Sequence, residues 1–119
     1  MPLHEKMDYV EFPAKDMAAT KTFFTTVFGW SFVDYGPEYM AFDKASAGID
    51  GGFFQADMPV STQNGSALIV FYSETLEQTQ AKIEAAGGTI IKPVFSFPGG
   101  RRFHFADPNS NEYAVWSDK

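Results

Sequence analysis

The sequence predicts an α+β protein in which a strand–helix–three-strand unit occurs twice. The first observation is the order of the runs, because a strand-like run precedes a helical run in each half of the chain. The second is spacing, since Met17 to Gly29 and Leu76 to Gly88 are both steps of twelve positions from a helix start to a terminating glycine. The third is length, because 119 residues fit one domain with about eight short strands.

The first unit is predicted from apolar spacing and from helix boundaries. Its helix, Met17–Phe28, carries four large apolar residues at helical spacing, which indicates packing against a core. Asp16 is a candidate N-cap, and Gly29 ends the helix. The other predicted elements are the strands Met7–Phe12 (closed by Pro13), Trp30–Tyr35, Tyr39–Phe42 and Gly51–Gln55, with Asp43–Asp50 as a connecting loop.

The second unit repeats this order around a helix predicted at Leu76–Ala86. Its other predicted elements are the strand Ala67–Tyr72, the extended segment Thr89–Pro93, the turn Phe97–Gly100, and a hairpin of Arg102–Ala106 with Glu112–Trp116. We therefore predict a single domain, residues 1–119, made of two βαβββ modules at about 5–56 and 66–118 with a linker near 57–65. Side by side, the modules would form a cupped mixed sheet with helices on its convex face.

The terminal hairpin is the most informative segment for function. Its turn, Asp107–Asn111, consists of residues that tolerate tight backbone, and the pairing places His104 opposite Ala114. Because side chains alternate between the faces of a strand, one face is apolar and the other is mixed. The mixed face comprises Arg102, His104, Glu112, Ala114 and Trp116. We expect a core behind this hairpin and a pocket in front of it.

Composition narrows the classes of partner. The net charge of −6 disfavours nucleic acid and anionic membrane surfaces. No cysteine is present, which removes disulfides, thiolate ligands and cysteine nucleophiles. The start of the chain has no apolar core of signal-peptide length, and no window reaches transmembrane length, so we expect a soluble cytoplasmic protein.

Four segments, none of them specific alone, occur in one order along the chain. They are Tyr9–Met17, Phe24–Trp30, Ala85–Thr89 and Phe105–Asn111. This ordered set resembles the vicinal oxygen chelate superfamily of glyoxalase I, bleomycin-resistance proteins and extradiol dioxygenases, and in particular its small glyoxalase-like branch. The resemblance implies a glyoxalase/bleomycin-resistance fold whose cup, in many members, holds a divalent metal. It also implies a homodimer, because the drug-sequestering relatives bind across a dimer cleft.

By this resemblance, three of the family's four metal-ligand positions fall on Tyr9, Leu68 and Ala114, and the fourth falls in Gly51–Gln55. Leucine and alanine cannot coordinate a metal, and a phenol is a rare ligand. In the fourth position Gln55 is the only candidate ligand. The resemblance therefore predicts that the usual four-ligand site is absent and that no cofactor is bound. A weak divalent metal site rebuilt from Glu11 and His104 stays open.

Glu11 and His104 are the candidate catalytic residues. Glu11 lies two residues after Tyr9, on the same strand face, where partial desolvation would suit a general base. The alternative is that this carboxylate only pairs with Arg102, Lys92 or a backbone amide. His104 is the candidate partner acid or base, or else a histidine held by hydrogen bonds in a pocket wall.

The remaining candidates would bind ligand. Tyr9 and Trp116 could stack on a planar molecule, and Arg102 could take an acidic group. Leu68 and Ala114 would line the same cup. The alternatives without function are core packing for the aromatic residues and a solvated surface role for the arginine.

Three functions follow in order of preference. The first is binding of a small planar or apolar molecule in an aromatic cup, without the usual metal. The second is a glyoxalase-type lyase or isomerase in which Glu11 removes a proton beside a carbonyl, and it ranks lower because no metal polarises that carbonyl. The third is a partner-binding module with no small ligand. A ring-cleaving dioxygenase is excluded, because its iron needs two histidines and a carboxylate, whereas His104 is the one histidine expected in the cup.

Overall fold

The computed structural model of the protein describes residues 2–119 and confirms the α+β fold class, with two four-stranded mixed sheets and three α-helices. The chain divides into two compact units, one ending at Met58 and the other beginning at Pro59. Each unit contains one sheet and one helix of at least ten residues. No helix within residues 2–119 has the length and hydropathy needed to span a membrane.

The first unit has the order strand, helix, three strands, with one short extra helix. Its elements are β1 (Tyr9–Ala14), α1 (Met17–Phe28), β2 (Phe32–Asp34), β3 (Tyr39–Phe42), α2 (Lys44–Ala47) and β4 (Asp50–Gln55). The strand order in the sheet is β1-β4-β3-β2, with β1 parallel to β4 and the other pairs antiparallel.

The second unit has the same topology. It contains a short 3₁₀ helix (Thr62–Asn64), β5 (Ile69–Tyr72), α3 (Leu76–Ala85), β6 (Thr89–Phe97), β7 (Gly100–Ala106) and β8 (Glu112–Ser117). The strand order is β5-β8-β7-β6, with β5 parallel to β8. The first and last strands of each unit therefore lie side by side, as β1 with β4 and β5 with β8.

Local sequence accounts for α1. The Asp16 side chain accepts a hydrogen bond from the Ala19 amide at 3.0 Å, and Gly29 ends the helix with φ +72°, as predicted. One face of the helix is buried in an aromatic core, where Phe24 stacks on Trp30 at 4.7 Å between ring centroids. The fully buried aromatic residues of the second unit lie on the predicted apolar face of the hairpin, and they are Phe103, Phe105 and Tyr113.

Some predicted boundaries were wrong. Pro13 does not close β1, because β1 is an edge strand in which a missing amide hydrogen is tolerated. The predicted loop Asp43–Asp50 contains α2, which Asp43 caps. The bounds predicted for β6 and β7 were also too short. The edge strand β6 runs through Pro93 to Phe97 with register irregularities, and β7 begins at Gly100.

Candidate functional site

The hairpin of β7 and β8 has the predicted register. His104 lies opposite Ala114, and Arg102 lies opposite Trp116. Since Phe103 and Phe105 point into the core, the alternate residues lie on the other face of the sheet. We call this face of the second unit the polar face, and its residues on the hairpin are Arg102, His104, Glu112, Ala114 and Trp116.

A buried histidine–carboxylate pair lies on the polar face. His104 Nδ1 is 2.8 Å from Glu112 Oε2, and the two side chains are only 2% and 4% exposed. The other carboxylate oxygen, Oε1, accepts hydrogen bonds from the Thr62 amide at 2.8 Å and from the Thr62 hydroxyl at 2.9 Å. Three donors therefore converge on one buried carboxylate.

These contacts determine which nitrogen of His104 is free. Burial raises the pKa of Glu112, but the hydrogen bonds from His104 and Thr62 outweigh it, and the net effect lowers the pKa. An ionised carboxylate only accepts hydrogen bonds, so Nδ1 carries a hydrogen and donates it. In the neutral ring, Nε2 then holds a lone pair. This atom is buried and has no hydrogen-bond partner within residues 2–119.

Arg102 lies two residues before His104 on the same face of β7. Its guanidinium carbon is 5.3 Å from the ring centroid of Phe95 and 5.8 Å from that of Phe97. The Phe95 ring is also 5.9 Å from the His104 ring, so it contacts both polar side chains. Arg102 Nε is buried without a hydrogen-bond partner among the described residues. An arginine and a histidine with unused hydrogen-bonding capacity therefore share one aromatic neighbour.

Aromatic side chains continue along this face. Trp116 packs edge-on against Tyr72 at 5.2 Å and lies 6.4 Å from Phe97, measured between ring centroids. Ala114, two residues before Trp116 on β8, is fully buried and pairs with Val70 of β5. Leu68 is half-buried and precedes β5 directly. The structure thus places the predicted ligand-binding residues Arg102, Trp116 and Ala114 on one face, with Leu68 at the end of a neighbouring strand.

The corresponding face of the first sheet, which points away from α1, carries Tyr9, Glu11 and Tyr39. We call it the tyrosine face. Tyr39 donates a hydrogen bond to Glu11 Oε2 at 2.8 Å, and its hydroxyl also contacts the Tyr9 hydroxyl. Burial, followed by the hydrogen bonds with Tyr9 and Glu11, raises the pKa of Tyr39. A Cβ on Gly52 would lie 2.3 Å from the Tyr39 hydroxyl, so glycine makes room for this phenol.

One expectation for Glu11 was wrong. The sequence predicted a partly desolvated carboxylate, but Glu11, on the edge strand β1, is an exposed residue. Within the first unit, the hydrogen-bond partner of Glu11 is Tyr39, and the predicted alternative pairings of Glu11 with Arg102 or Lys92 stay predictions. Its role as a general base stays a prediction.

Two further residues with functional side chains lie away from these two faces. Arg101, directly before Arg102, forms an ion pair with Glu77 of α3 and also donates to the Lys119 carbonyl. His4 lies near the start of the chain, is 90% exposed and lies 2.8 Å from the carboxylate of its neighbour Glu5. His104 is therefore the histidine that the fold buries.

Sequence reasoning missed three contributors. Thr62 was assigned to a linker, Phe95 was assigned to no element, and Tyr39 was read only as part of a strand. For Thr62 a signal exists, because Ser61 and Gly65 flank it as N-cap and C-cap of a single helical turn. For Phe95, no local signal shows that its ring contacts both Arg102 and His104.

The residues at the positions that the resemblance assigns to metal ligands do not have the chemistry of such a site. Leu68 and Ala114 have no donor atom, and the Tyr9 hydroxyl is hydrogen-bonded to Tyr39. Within the described part of the chain, no three His, Cys, Asp or Glu side chains come together as a metal site would require.

The chain belongs to the Glyoxalase/Bleomycin resistance protein/Dioxygenase superfamily, because the sequence model of that family matches residues 6–115. This confirms the family that the four ordered segments indicated. None of the proteins with curated functional descriptions matches the sequence.

Solved structures show the same fold at low identity. A glyoxalase-related enzyme from Fulvimarina pelagi is 18% identical, with a TM-score of 0.77 over 95% of this chain and 88% of that one. A family member from Burkholderia phytofirmans is also 18% identical, with a TM-score of 0.76 over 94% and 98%. An E126Q mutant of the fosfomycin resistance protein FosX from Listeria monocytogenes, complexed with Mn(II) and 1S,2S-dihydroxypropylphosphonic acid, is 19% identical, with a TM-score of 0.78 over 96% and 90%.

Proposed function

We propose that the protein binds a small planar molecule on the polar face, without the four-ligand metal site of its family. The observation that carries this proposal is the buried Nε2 of His104, which has no partner among the described residues. A buried polar atom without a hydrogen-bond partner costs the folded protein free energy, because it has lost its hydrogen bonds to water. A ligand that supplies the missing partner would recover that cost, and the aromatic rings of Phe95, Phe97 and Trp116 offer it a flat apolar surface.

The donor set supports a metal-free site. A divalent cation needs several protein ligands, whereas the polar face offers one imidazole nitrogen with the Arg102 guanidinium as its neighbour on β7. The positive charge of Arg102 opposes a cation and favours an anion. Glu112, the carboxylate that contacts His104, already accepts three hydrogen bonds, so its oxygen atoms are occupied.

A second candidate function is proton transfer next to a carbonyl. Glu112 orients the His104 ring and leaves Nε2 as the basic atom, which is the arrangement of a histidine general base. Arg102 would then stabilise the enolate. This version of the lyase or isomerase hypothesis uses His104 as the base, and the version that uses Glu11 stays a prediction.

Binding is tested with the intrinsic fluorescence of the chain, which has two tryptophans. Trp30 is buried in the aromatic core of the first unit, so Trp30→Phe leaves Trp116 as the only tryptophan. We expect 4-amino-3-nitrobenzoate, which is planar and carries an N–H donor, to quench this fluorescence saturably. We expect 4-hydroxycyclohexanecarboxylate, which is not planar and does not quench tryptophan, to displace it only at much higher concentration. Absence of saturable quenching by 4-amino-3-nitrobenzoate, together with no thermal shift from a panel of planar aromatic acids, would contradict the proposal.

Catalysis is tested by hydrogen–deuterium exchange of phenylpyruvate in D₂O, followed by NMR. If His104 is the base, His104→Gln abolishes protein-catalysed exchange and Glu11→Gln leaves it nearly unchanged. The reverse pattern would support Glu11 as the base. No exchange with the unmodified protein would leave binding as the function and remove the second candidate.

The resemblance to the family also implies a larger arrangement. We infer that the chain is a single domain, that the protein is a homodimer and that it works in the cytoplasm. Light scattering of the purified protein tests the dimer, which a mass of one chain would contradict.

A further inference from the structure

We propose that the ligand of the polar face is a planar hydroxy acid, whose carboxylate pairs with Arg102 and whose hydroxyl donates to His104 Nε2. This inference rests on the proposed binding function and adds the chemical class of the ligand. It follows from what each of the two side chains still lacks.

His104 lacks a donor. Its Nδ1–H is held by Glu112, and Glu112 in turn is held by both donors of Thr62. The neutral ring therefore presents a lone pair at Nε2, and only an O–H or N–H group can satisfy it. A carboxylate oxygen at this place would face the Nε2 lone pair, so two acceptors would lie opposite each other with no hydrogen between them.

Arg102 lacks an acceptor. Within residues 2–119, no carboxylate lies within ion-pair distance of its guanidinium, and the buried Nε–H has no hydrogen-bond partner. The neighbouring arginine is a useful contrast, because Arg101 is paired with Glu77. Carboxylate oxygens accept two parallel hydrogen bonds from an arginine, which makes them the best complement to this group.

Geometry joins the two requirements in one ligand. Residues two apart on a strand have Cα atoms about 6–7 Å apart and point to the same side. Arg102 and His104 meet this condition on β7, and the Phe95 ring contacts both of them. A flat molecule with an acid at one end and a donor at the other therefore matches the pair, and 4-hydroxybenzoate is its simplest probe.

Entry of such a molecule requires one ring to move. His104 Nε2 has no solvent access, and Phe95 packs against the imidazole that carries it. Phe95 lies on the edge strand β6, directly after the register shift between Lys92 and Phe95. A side chain at an irregularly paired position of an edge strand can change its direction more easily than one in a regularly hydrogen-bonded strand. Phe95→Ala should therefore raise the association rate of the probe.

The first experiment compares four probes by calorimetry on the unmodified protein. They are 4-hydroxybenzoate, 4-methoxybenzoate (no donor), benzoate (no second polar group) and methyl 4-hydroxybenzoate (no acid). We expect 4-hydroxybenzoate to bind at least about tenfold more tightly than each of the others, because each of them leaves one buried group unpaired. Binding without this preference overturns the hydroxy-acid inference but leaves the proposed function standing. No binding by any probe contradicts both.

Glu112→Gln tests the role of the His104 lone pair without changing the shape of the side chain. The Thr62 amide and hydroxyl both donate to one oxygen, so the carbonyl oxygen of the introduced side-chain amide takes that place and its NH₂ group faces His104 Nδ1. Nδ1 must then accept, and the hydrogen moves to Nε2. We expect the preference for 4-hydroxybenzoate over 4-methoxybenzoate to fall to about onefold in this variant. A preference that stays at its original value would overturn the inference.

Arg102→Met tests the carboxylate contact, with Arg101→Met as the matched control one residue earlier. We expect Arg102→Met to remove the preference for 4-hydroxybenzoate over its methyl ester, and Arg101→Met to keep it. Equal losses in the two variants would show a general effect of charge and would overturn the assignment of Arg102.

Discussion

The tyrosine face and the polar face occupy the same place in two units of the same topology, yet they hold their carboxylates in opposite ways. Glu11 of the tyrosine face lies on the edge strand β1, is exposed and accepts a hydrogen bond from one phenol. Glu112 of the polar face lies on the inner strand β8, is buried and accepts three hydrogen bonds. Two glutamates on equivalent faces therefore differ in burial and in the number of donors that hold them, and only Glu112 orients a neighbouring histidine.

The largest expected effect tests this difference in burial. Glu112→Ala leaves buried His104 and both Thr62 donors without their acceptor, so it should lower the free energy of unfolding by about 3–5 kcal/mol. Glu11→Ala, the matched change on the exposed face, should alter it by about 0.5 kcal/mol or less. Urea denaturation measures both values. Equal losses would show that the two carboxylates are equivalent.

The pH dependence of stability sharpens the comparison. The pKa of Glu112 is lower in the folded protein than its ordinary value of 4.5, so the unfolded chain binds a proton more readily. Its contribution to stability is fully present above pH 4.5 and is lost as the pH falls through the folded-state pKa. We therefore expect the stability advantage of the unmodified protein over Glu112→Gln to shrink between about pH 6 and pH 3. An advantage that grows on acidification would contradict this sign.

Asp107, in the turn before β8, should show the opposite sign. Burial raises its pKa above the ordinary 3.8 and outweighs the hydrogen bonds from Tyr113, Asn109 and Asn111, so ionisation costs the folded state free energy. The stability of the unmodified protein relative to Asp107→Asn should fall as the pH rises from about 3 to 6. Thermal denaturation across this range checks it. If the stability contributions of Asp107 and Glu112 both rose with pH, the two carboxyl groups would not have pKa shifts of opposite sign, which would contradict this prediction.

The smallest expected effect concerns the tyrosines. Tyr39 is hydrogen-bonded to Glu11, and Tyr72 donates to Asp118 at 2.6 Å. The bond to Asp118 is the main cause that raises the pKa of Tyr72 to about 12. An alkaline absorbance titration of Tyr72→Phe should therefore lack one phenol ionising near pH 12. The same titration of Tyr39→Phe should lose no ionisation near pH 10, because the pKa of Tyr39 is raised above that value.

Local features of the sequence predicted the terminal hairpin of the second unit and the first helix, α1. The register of the hairpin, with His104 opposite Ala114, follows from alternation around the Asp107–Asn111 turn and was confirmed. The bounds and caps of α1 follow from Asp16, Gly29 and the helical spacing between them, and were also confirmed. These features involve neighbours in sequence, so local patterns carry enough information to specify them.

Contacts between distant segments could not be predicted in this way. Thr62 reaches Glu112 across fifty positions because the segment before β5 is tied to the start of β8, where the Glu112 amide donates to the Val60 carbonyl. Glu11 was expected to be desolvated, and the alternation that placed it on a strand face gives no indication that β1 lies at the edge of its sheet.

By itself, the sequence determined the family, the α+β class, the order of the elements and the face on which Arg102, His104 and Glu112 lie, because these depend on local periodicity and on short segments. Only the tertiary structure decided that Glu112 would be closed off by Thr62, that Phe95 would contact Arg102 and His104, and that Nε2 would be left without a partner among the described residues. The physical reason is that burial and hydrogen-bond satisfaction depend on which strands become neighbours. That is set by the order β5-β8-β7-β6, which no single segment encodes.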